Sequence, residues 1–179
     1  LGVCEDAGRH ADDLKRIVSA GGKRLRPMLA WVCRHMYGEK LPALPLMCML
    51  ELMHTSSLIH DDFIDRAPQR RGAETISHAK GGIAAHECGD FLLAKAMEFL
   101  ETYRGTGINE ALSEVAQEMC LGEIDQIAGL YRGRGLRMEQ HLVRLKRKPA
   151  LLMSESCRSG AGAGRAPAQE HEIIREFRL

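Results

Sequence analysis

The sequence lacks several features that would assign a protein quickly to a functional class. Its net charge is only +1 over 179 residues, so no strong electrostatic field points to nucleic acid or to an anionic membrane. The longest strongly apolar stretch, residues 41–50, contains proline and is too short to span a membrane. No segment resembles a signal peptide, since the first fifteen residues carry both acidic and basic side chains and no apolar core.

The positions of the cysteines do not indicate a disulfide framework either. No two cysteines form a C-x-x-C pair, and several lie in apolar stretches with helical spacing, where a buried, reduced thiol is the usual state. We therefore expect a cytoplasmic protein without disulfides. The six cysteines are Cys4, Cys33, Cys48, Cys88, Cys120 and Cys157.

No stretch alternates in the manner of a β-strand, and no repeat period is present. Apolar residues recur instead at helical spacing, which predicts an all-α fold in a single domain over residues 1–179. A small-residue loop or loose helix end is expected at 159–167. Within 21–38 we expect a helix whose apolar stripe comprises Leu29, Ala30, Val32, Cys33 and Met36.

Residues 47–72 join an apolar helical run to a cluster of charges. His54, Ser57 or Leu58, Asp61 and Asp65 fall on one face of that helix. Asp61 and Asp65 are one turn apart, about 6 Å along the axis, a separation that suits two carboxylates holding hydrated divalent cations. Like charges at this spacing repel each other in an isolated helix, so a functional role is the natural interpretation.

Two groups of basic residues accompany these acids. Lys23, Arg24 and Arg26 crowd the start of a helix, where the helix dipole disfavours cations but where a phosphate would be held well. A solvated basic patch is the alternative interpretation. Arg70 and Arg71 follow the aspartates closely, and a network of salt bridges among these charges would also account for them.

The order of these motifs resembles that of the trans-isoprenyl diphosphate synthases. The DDxxD pattern alone is shared with terpene cyclases, but GGKRxRP before it and RRG after it are not a cyclase pattern. The matching motifs are GGKRLRP (21–27), ELMHTSSLIHDDFID (51–65), RRG (70–72), GD (89–90), GEIDQ (122–126) and KPALL (148–152). The resemblance implies an all-α helical bundle of the isoprenoid synthase type around a central cavity, usually as a homodimer. It also implies Mg²⁺-dependent, head-to-tail condensation of isopentenyl diphosphate with an allylic diphosphate.

The same resemblance assigns roles to individual residues. Asp61 and Asp65 would bind Mg²⁺ that bridges to the allylic diphosphate, with Asp62 in support. The residues expected near the allylic diphosphate are Arg70, Lys148 and Gln126. Those expected to hold isopentenyl diphosphate are Lys23, Arg26, His54 and Arg71. No dedicated histidine or glutamate base is evident, and the product diphosphate itself would serve as the base for the final proton.

The small residues before the aspartates bear on product length. Ser57 and Ser56 stand four and five positions before Asp61, where a bulky aromatic residue would close the floor of the cavity after a few isoprene units. Serine does not close it, so we expect a geranylgeranyl or longer product. The alternative is that a deeper residue, such as Met53 or one in 90–103, closes the pocket.

The sequence departs from the family pattern in three places. Pro149 stands where the family has threonine, and Ser77 with His78 stands where it commonly has histidine. The sequence also reaches Leu179 before the second aspartate-rich motif. We therefore expect either an enzyme of which this is one part, or a non-catalytic or regulatory subunit that partners a competent prenyl synthase.

Overall fold

The computed structural model describes residues 2–131, 150–167, 169–170 and 173–174, and helices dominate this part of the chain. None of the described helices is both long and apolar enough to cross a membrane. The described α-helices are α1 (Ala11–Ser19), α2 (Leu25–Met36), α3 (Leu44–Ile64), α4 (Ile76–Lys80), α5 (Gly82–Leu100), α6 (Ile108–Tyr131) and α7 (Leu151–Gly164). Two 3₁₀ segments, Gly2–His10 and Glu101–Tyr103, adjoin them.

The predicted all-α class is confirmed, with one small β-hairpin that the sequence did not predict. Its strands, β1 (Gln69–Arg70) and β2 (Ala73–Glu74), pair antiparallel. Two residues per strand are too few for the alternation that makes a strand visible in a sequence.

The chain divides into two compact units, each built from two separate stretches. The first unit comprises Leu1–Arg24 and Cys48–Phe99, and the second comprises Leu25–Met47 and Leu100–Leu179. The aspartate motif, the RRG motif and most of the GGKR motif belong to the first unit. The prediction of a single domain stays a prediction.

In the first unit, α5 approaches α3 closely. Two glycines of α5 face bulky side chains of α3, and the absence of a side chain on glycine leaves room for them. A methyl group at Gly89 would lie 2.7 Å from Cδ2 of His60, and one at Gly82 would lie 3.0 Å from Cζ of Phe63. The two glycines are seven residues apart, which places them on one face of α5. This contact fixes the aspartate end of α3, and the residues buried along the two helices include Met49, Leu50, Met53, Ile59, Cys88 and Leu92.

In the second unit, α2 packs against α7 through small residues. A methyl group at Gly160 would lie 2.7 Å from Cα of Ala30, and one at Gly164 would lie 2.6 Å from Cβ of Tyr37. The expected loop or loose helix end at 159–167 is therefore corrected, because α7 continues to Gly164 and ends where Arg165 adopts a φ of +67°. The small residues of α7 allow the backbones of two helices to approach each other, so they belong to a helix contact and not to a loop.

The apolar stripe expected on α2 is also corrected in part. Ala30 is buried and Cys33 is half-buried, as expected. Val32 and Met36, however, are 45% and 71% exposed, together with Met28 at 52%. The helix carries apolar residues on more than one face, and periodicity alone could not tell which face α7 would cover.

Candidate functional site

The first unit contains a small cavity beside α3. It lies between α1, the loop after α1, one face of α3 and the hairpin, and its volume of about 50 Å³ is room for only a few waters. Seven of the fifteen residues that line it carry a charged side chain, and the others are apolar or uncharged polar residues. The lining residues are Arg16, Ile17, Ala20, Arg24, Glu51, His54, Thr55, Leu58, Ile59, Asp62, Arg70, Arg71, Ala73, Glu74 and Thr75.

The aspartate that faces the cavity is not the one expected from the spacing. The cavity face of α3 includes His54 and Leu58, as expected, but it ends with Asp62 rather than with Asp61. Asp61 is half-buried, and Asp65 is exposed because α3 ends at Ile64. The motif therefore presents carboxylates in two directions, with Asp62 directed into the cavity.

Asp62 is bound by the first arginine of the RRG motif. Nε of Arg70 donates a hydrogen bond of 2.6 Å to Oδ1 of Asp62, whose side chain is almost fully buried. Burial raises the pKa of the Asp62 carboxyl above its ordinary value, although the hydrogen bond and charge of Arg70 act in the opposite direction. The expected proximity of Arg70 to the aspartates is thus found, and its first partner is Asp62.

Because of the hairpin turn, Arg70 and Arg71 bind different partners. Arg71 and Gly72 occupy the turn between β1 and β2, with φ values of +52° and +77°, the left-handed pair of a type I′ turn. Thr75 closes the base of the hairpin, because its hydroxyl donates to the Ala67 carbonyl at 2.7 Å. The turn separates adjacent residues sharply, so Arg70 faces Asp62 while Arg71 does not.

Arg71 joins the RRG motif to the glycines of the GGKR motif. Its Nη1 donates to the carbonyl oxygen of Gly21 at 2.5 Å. A methyl group at Gly22, where φ is +143°, would lie 2.8 Å from the same nitrogen. Glycine is therefore required at position 22 by its backbone conformation, and it also leaves room for the guanidinium. Two motifs about fifty residues apart meet here.

Several charged residues of this cavity were not assigned from the sequence, among them Arg24, Glu51 and Arg16. Arg24 forms an ion pair with Glu51 and also donates to the carbonyl of Val18. Arg16 donates to the backbone carbonyl of Glu74 at 2.9 Å, which ties α1 to β2. The positions of Arg24 within GGKRLRP and of Glu51 at the start of ELMHTSSLIHDDFID were signals for those two residues, whereas nothing in the sequence marked Arg16.

The remaining residues assigned from the resemblance are distributed over the chain. Lys23 is exposed in the loop of the first unit, next to Arg24. Arg26 and Gln126 are half-buried residues of the second unit, in α2 and α6 respectively. Lys148 and the neighbouring Pro149 lie outside the described residues. The roles of all these side chains stay predictions.

The chemistry of Asp61 and Asp65 fits a hard divalent cation. The Asp65 N–H donates to the Asp61 carbonyl at 2.8 Å, which extends the helical turn and keeps both carboxylates on one side. In the part of the chain that the structure describes, no three His, Cys, Asp or Glu side chains come together as a metal site. Mg²⁺ is commonly held by one or two carboxylates together with waters and phosphate oxygens. Asp61 and Asp65 are therefore two carboxylates that could hold such a cation together with non-protein ligands.

The two serines expected to set product length differ in their surroundings. Ser56 is only 2% exposed, and its hydroxyl donates to the carbonyl of Gly89 in α5 at 2.8 Å. Ser57 is half-buried, and its hydroxyl donates back to the carbonyl of His54 at 2.8 Å. Ser56 thus lies in the packed contact of two helices, so a large side chain is accommodated better at position 57.

Comparison with known proteins gives one consistent family. A model of the polyprenyl synthetase family matches residues 10–179. Heptaprenyl diphosphate synthase component 2 of Bacillus subtilis is 36% identical over 183 residues, an alignment that covers 98% of this chain and 49% of the relative. The chain spans about half the length of the curated relatives that it matches.

Solved structures agree with the sequence comparison. A decaprenyl diphosphate synthase from Rhodobacter capsulatus superposes with a TM-score of 0.88 at 27% identity, covering 97% of this chain and 53% of that one. A polyprenyl synthase from Caulobacter crescentus, solved with calcium and isoprenyl diphosphate, gives 0.87 at 26% identity, covering 98% and 55%. The predicted isoprenoid synthase fold type is confirmed, over about half of those structures. On these matches, and on the motifs gathered around α3, the chain belongs to the polyprenyl synthetase family.

Proposed function

We propose that this chain takes part in the Mg²⁺-dependent, head-to-tail condensation of isopentenyl diphosphate with an allylic diphosphate, giving a geranylgeranyl or longer polyprenyl diphosphate. The observation that carries the proposal is the meeting of three motifs at one cavity: the GGKR loop, the RRG hairpin and the aspartate helix. The alternative interpretation was a simple network of salt bridges. Such a network does not require three motifs to meet at one cavity, because each arginine could pair with a carboxylate elsewhere on the surface.

The arrangement suits a reaction whose leaving group is an anion. Diphosphate departs readily only when its charge is neutralised, and preformed cationic groups provide that without reorganisation. Arg70 would hold the allylic diphosphate together with Lys148 and with Gln126 beside it. Lys23, Arg26, His54 and Arg71 would hold isopentenyl diphosphate. Arginine is well suited to these contacts, because its planar fork of donors matches phosphate oxygens.

Asp61 and Asp65, with Asp62 in support, would hold the metal. Bound Mg²⁺ would neutralise charge on the diphosphate as it leaves. Asp62 would act mainly through Arg70, because that guanidinium already occupies its Oδ1. The calcium and isoprenyl diphosphate found with the Caulobacter crescentus relative support both a divalent cation and a diphosphate ligand. We also propose that the protein is a homodimer, as the resemblance implies, and that it is cytoplasmic, as the scattered cysteines indicate.

A non-catalytic or regulatory subunit is the second candidate. The specific observation in its favour is the name of the Bacillus subtilis relative, which is one component of a heptaprenyl diphosphate synthase. In that case the chain would partner a competent prenyl synthase, and the diphosphate contacts of the first unit would serve the assembled enzyme.

One assay separates the two candidates. The full-length protein to which this sequence belongs is given Mg²⁺, labelled isopentenyl diphosphate and a series of allylic primers, alone and mixed with a competent polyprenyl synthase. The enzyme proposal expects that protein alone to incorporate label into a product of twenty or more carbons (roughly four isoprene units), and expects chelation by EDTA to stop it. The subunit proposal expects no incorporation alone but a changed product length or rate on mixing. No incorporation alone, with an unchanged profile on mixing, would contradict both.

Product length is tested at Ser57. In the assay above, Ser57→Phe should shorten the main product, because a phenyl ring would occupy the path of the growing chain. Ser57→Ala is the matched control and should leave the length unchanged. Ser56→Phe is a poorer test, because the added ring would push α3 away from Gly89. Product length is read by mass spectrometry after dephosphorylation, and an unchanged length in Ser57→Phe would show that the floor lies elsewhere.

A further inference from the structure

The backbone of Arg24 adopts a conformation that needs support from its surroundings. Its φ is +48°, in the left-handed region that a long, non-glycine side chain rarely occupies. Such conformations persist where neighbouring contacts determine them, and they concentrate at ligand sites. The loop that contains Arg24 follows α1 directly and includes Gly21, Gly22 and Lys23.

Two contacts of the guanidinium hold this residue. One nitrogen is paired with the carboxylate of Glu51 on α3, and the other donates to the carbonyl oxygen of Val18. Val18 lies in the last turn of α1, where backbone carbonyls have no partner within the helix. Arg24 therefore joins the end of α1 to α3, and the loop between them is drawn toward the cavity.

Glu51 is the acidic anchor of this link. Its side chain is 18% exposed, which leaves its charge poorly solvated and makes the pairing with Arg24 important. Glu51 also stands one turn before His54 on the cavity face of α3. A carboxylate so placed would repel a diphosphate, so its contribution to a diphosphate site must be indirect.

The loop held by this link is the one that carries Lys23. On its other side, the same loop is held by Arg71, which donates to the carbonyl of Gly21. The proposed function assigns both Lys23 and Arg71 to isopentenyl diphosphate. By contrast, the second ion pair of the cavity, Arg70 with Asp62, involves an arginine assigned to the allylic diphosphate. Under the proposed function, the two carboxylates of the α3 cavity face would therefore act on different ligands.

We propose that Glu51 is a positioning residue: through Arg24 it fixes the Gly21–Lys23 loop and thereby sets the affinity for isopentenyl diphosphate, without touching that ligand. The proposal rests on the proposed function for the identity of the ligand. The fixing of the loop is independent of it, and can be measured without any diphosphate.

The test variant is Glu51→Gln, which keeps the shape of the side chain and removes its charge. We expect the dissociation constant for isopentenyl diphosphate, measured by titration calorimetry, to rise about tenfold. The constant for an allylic diphosphate in the presence of Mg²⁺ should stay within about twofold, because Arg70 keeps its partner. Amide hydrogen exchange at Gly22 and Lys23 should become faster in the ligand-free variant.

Two further variants provide the controls. Glu98→Gln makes the same chemical change on α5, outside the cavity, where the Glu98 carboxylate is 69% exposed and pairs with Lys95 at 2.9 Å. It should leave both dissociation constants and the loop exchange unchanged. Glu51→Asp retains a carboxylate and should recover most of the affinity, and it also serves if Glu51→Gln does not fold.

The outcomes are distinguishable. If the wild-type chain binds isopentenyl diphosphate and Glu51→Gln binds it equally well, the positioning role is overturned and the proposed function stands. An equal loss of affinity in Glu98→Gln would also overturn it, because the loss would then follow from any removal of negative charge in this part of the molecule. If the full-length wild-type protein binds no diphosphate, the proposed function fails. Amide hydrogen exchange at Gly22 and Lys23 then tests whether Glu51 fixes the loop. Faster exchange in Glu51→Gln supports this, and unchanged exchange overturns it.

Discussion

Replacing Asp61 by asparagine should lower the rate of condensation by about a thousandfold. The amide keeps the shape of the carboxylate but removes the charge that would hold Mg²⁺ against a diphosphate. Single preorganised contacts to developing charge are worth roughly 10²–10³ in rate, and loss of a metal ligand falls at the upper end of that range. The measurement is the incorporation of labelled isopentenyl diphosphate as a function of Mg²⁺ concentration.

Asp12→Asn is the control for this prediction. Asp12 is an exposed aspartate in the first turn of α1 and does not line the cavity. Its replacement should change the rate by no more than about twofold, as for most surface substitutions. A rate for Asp61→Asn within tenfold of the wild type (about 1.4 kcal/mol) would contradict the assignment of this aspartate to the metal.

Replacing Gly160 by alanine should destabilise the second unit by about 3 kcal/mol. The added methyl group would lie 2.7 Å from Cα of Ala30, and the backbone there cannot turn aside as a side chain could. The higher helix propensity of alanine, worth about 1 kcal/mol, acts in the opposite direction and is outweighed. The measurement is the midpoint of urea unfolding, followed by circular dichroism.

Gly2→Ala is the matched control, because a methyl group there has no heavy atom within 4 Å. Its unfolding midpoint should equal that of the wild type. A midpoint for Gly160→Ala equal to or above that of the wild type would mean that α2 and α7 are less closely packed than the structure has them.

The convergence of charges at the cavity was largely predictable from the sequence. Arg70 and the aspartates are only a few residues apart, so a short connector had to bring them together, and Arg70 indeed binds Asp62. His54 was expected on the functional face of α3 and lines the cavity. The first expectation follows from the short connector, and the second follows from spacing along one helix, which is the most reliable signal in a sequence.

Other features of the site depended on geometry that spacing does not contain. Asp61 and Asp62 differ by about 100° around the helix axis, so a small rotation of α3 decides which one enters the cavity. The pairing of Arg24 with Glu51 joins residues 27 positions apart through a left-handed backbone, which no local pattern indicates. Likewise, the small residues of α7 could be understood as a helix contact only once α2 was seen beside them.

The contact between Arg71 and Gly22 has a consequence for how sequences in this family can diverge. Any side chain at position 22 would require the end of the Arg71 side chain to move, so the glycine is favoured by a residue 49 positions away as well as by its own backbone. Substitutions at the two positions should therefore be coupled during evolution. A relative that loses the arginine would be freed from one of the two constraints on the glycine, and a relative that loses the glycine would have to move the arginine.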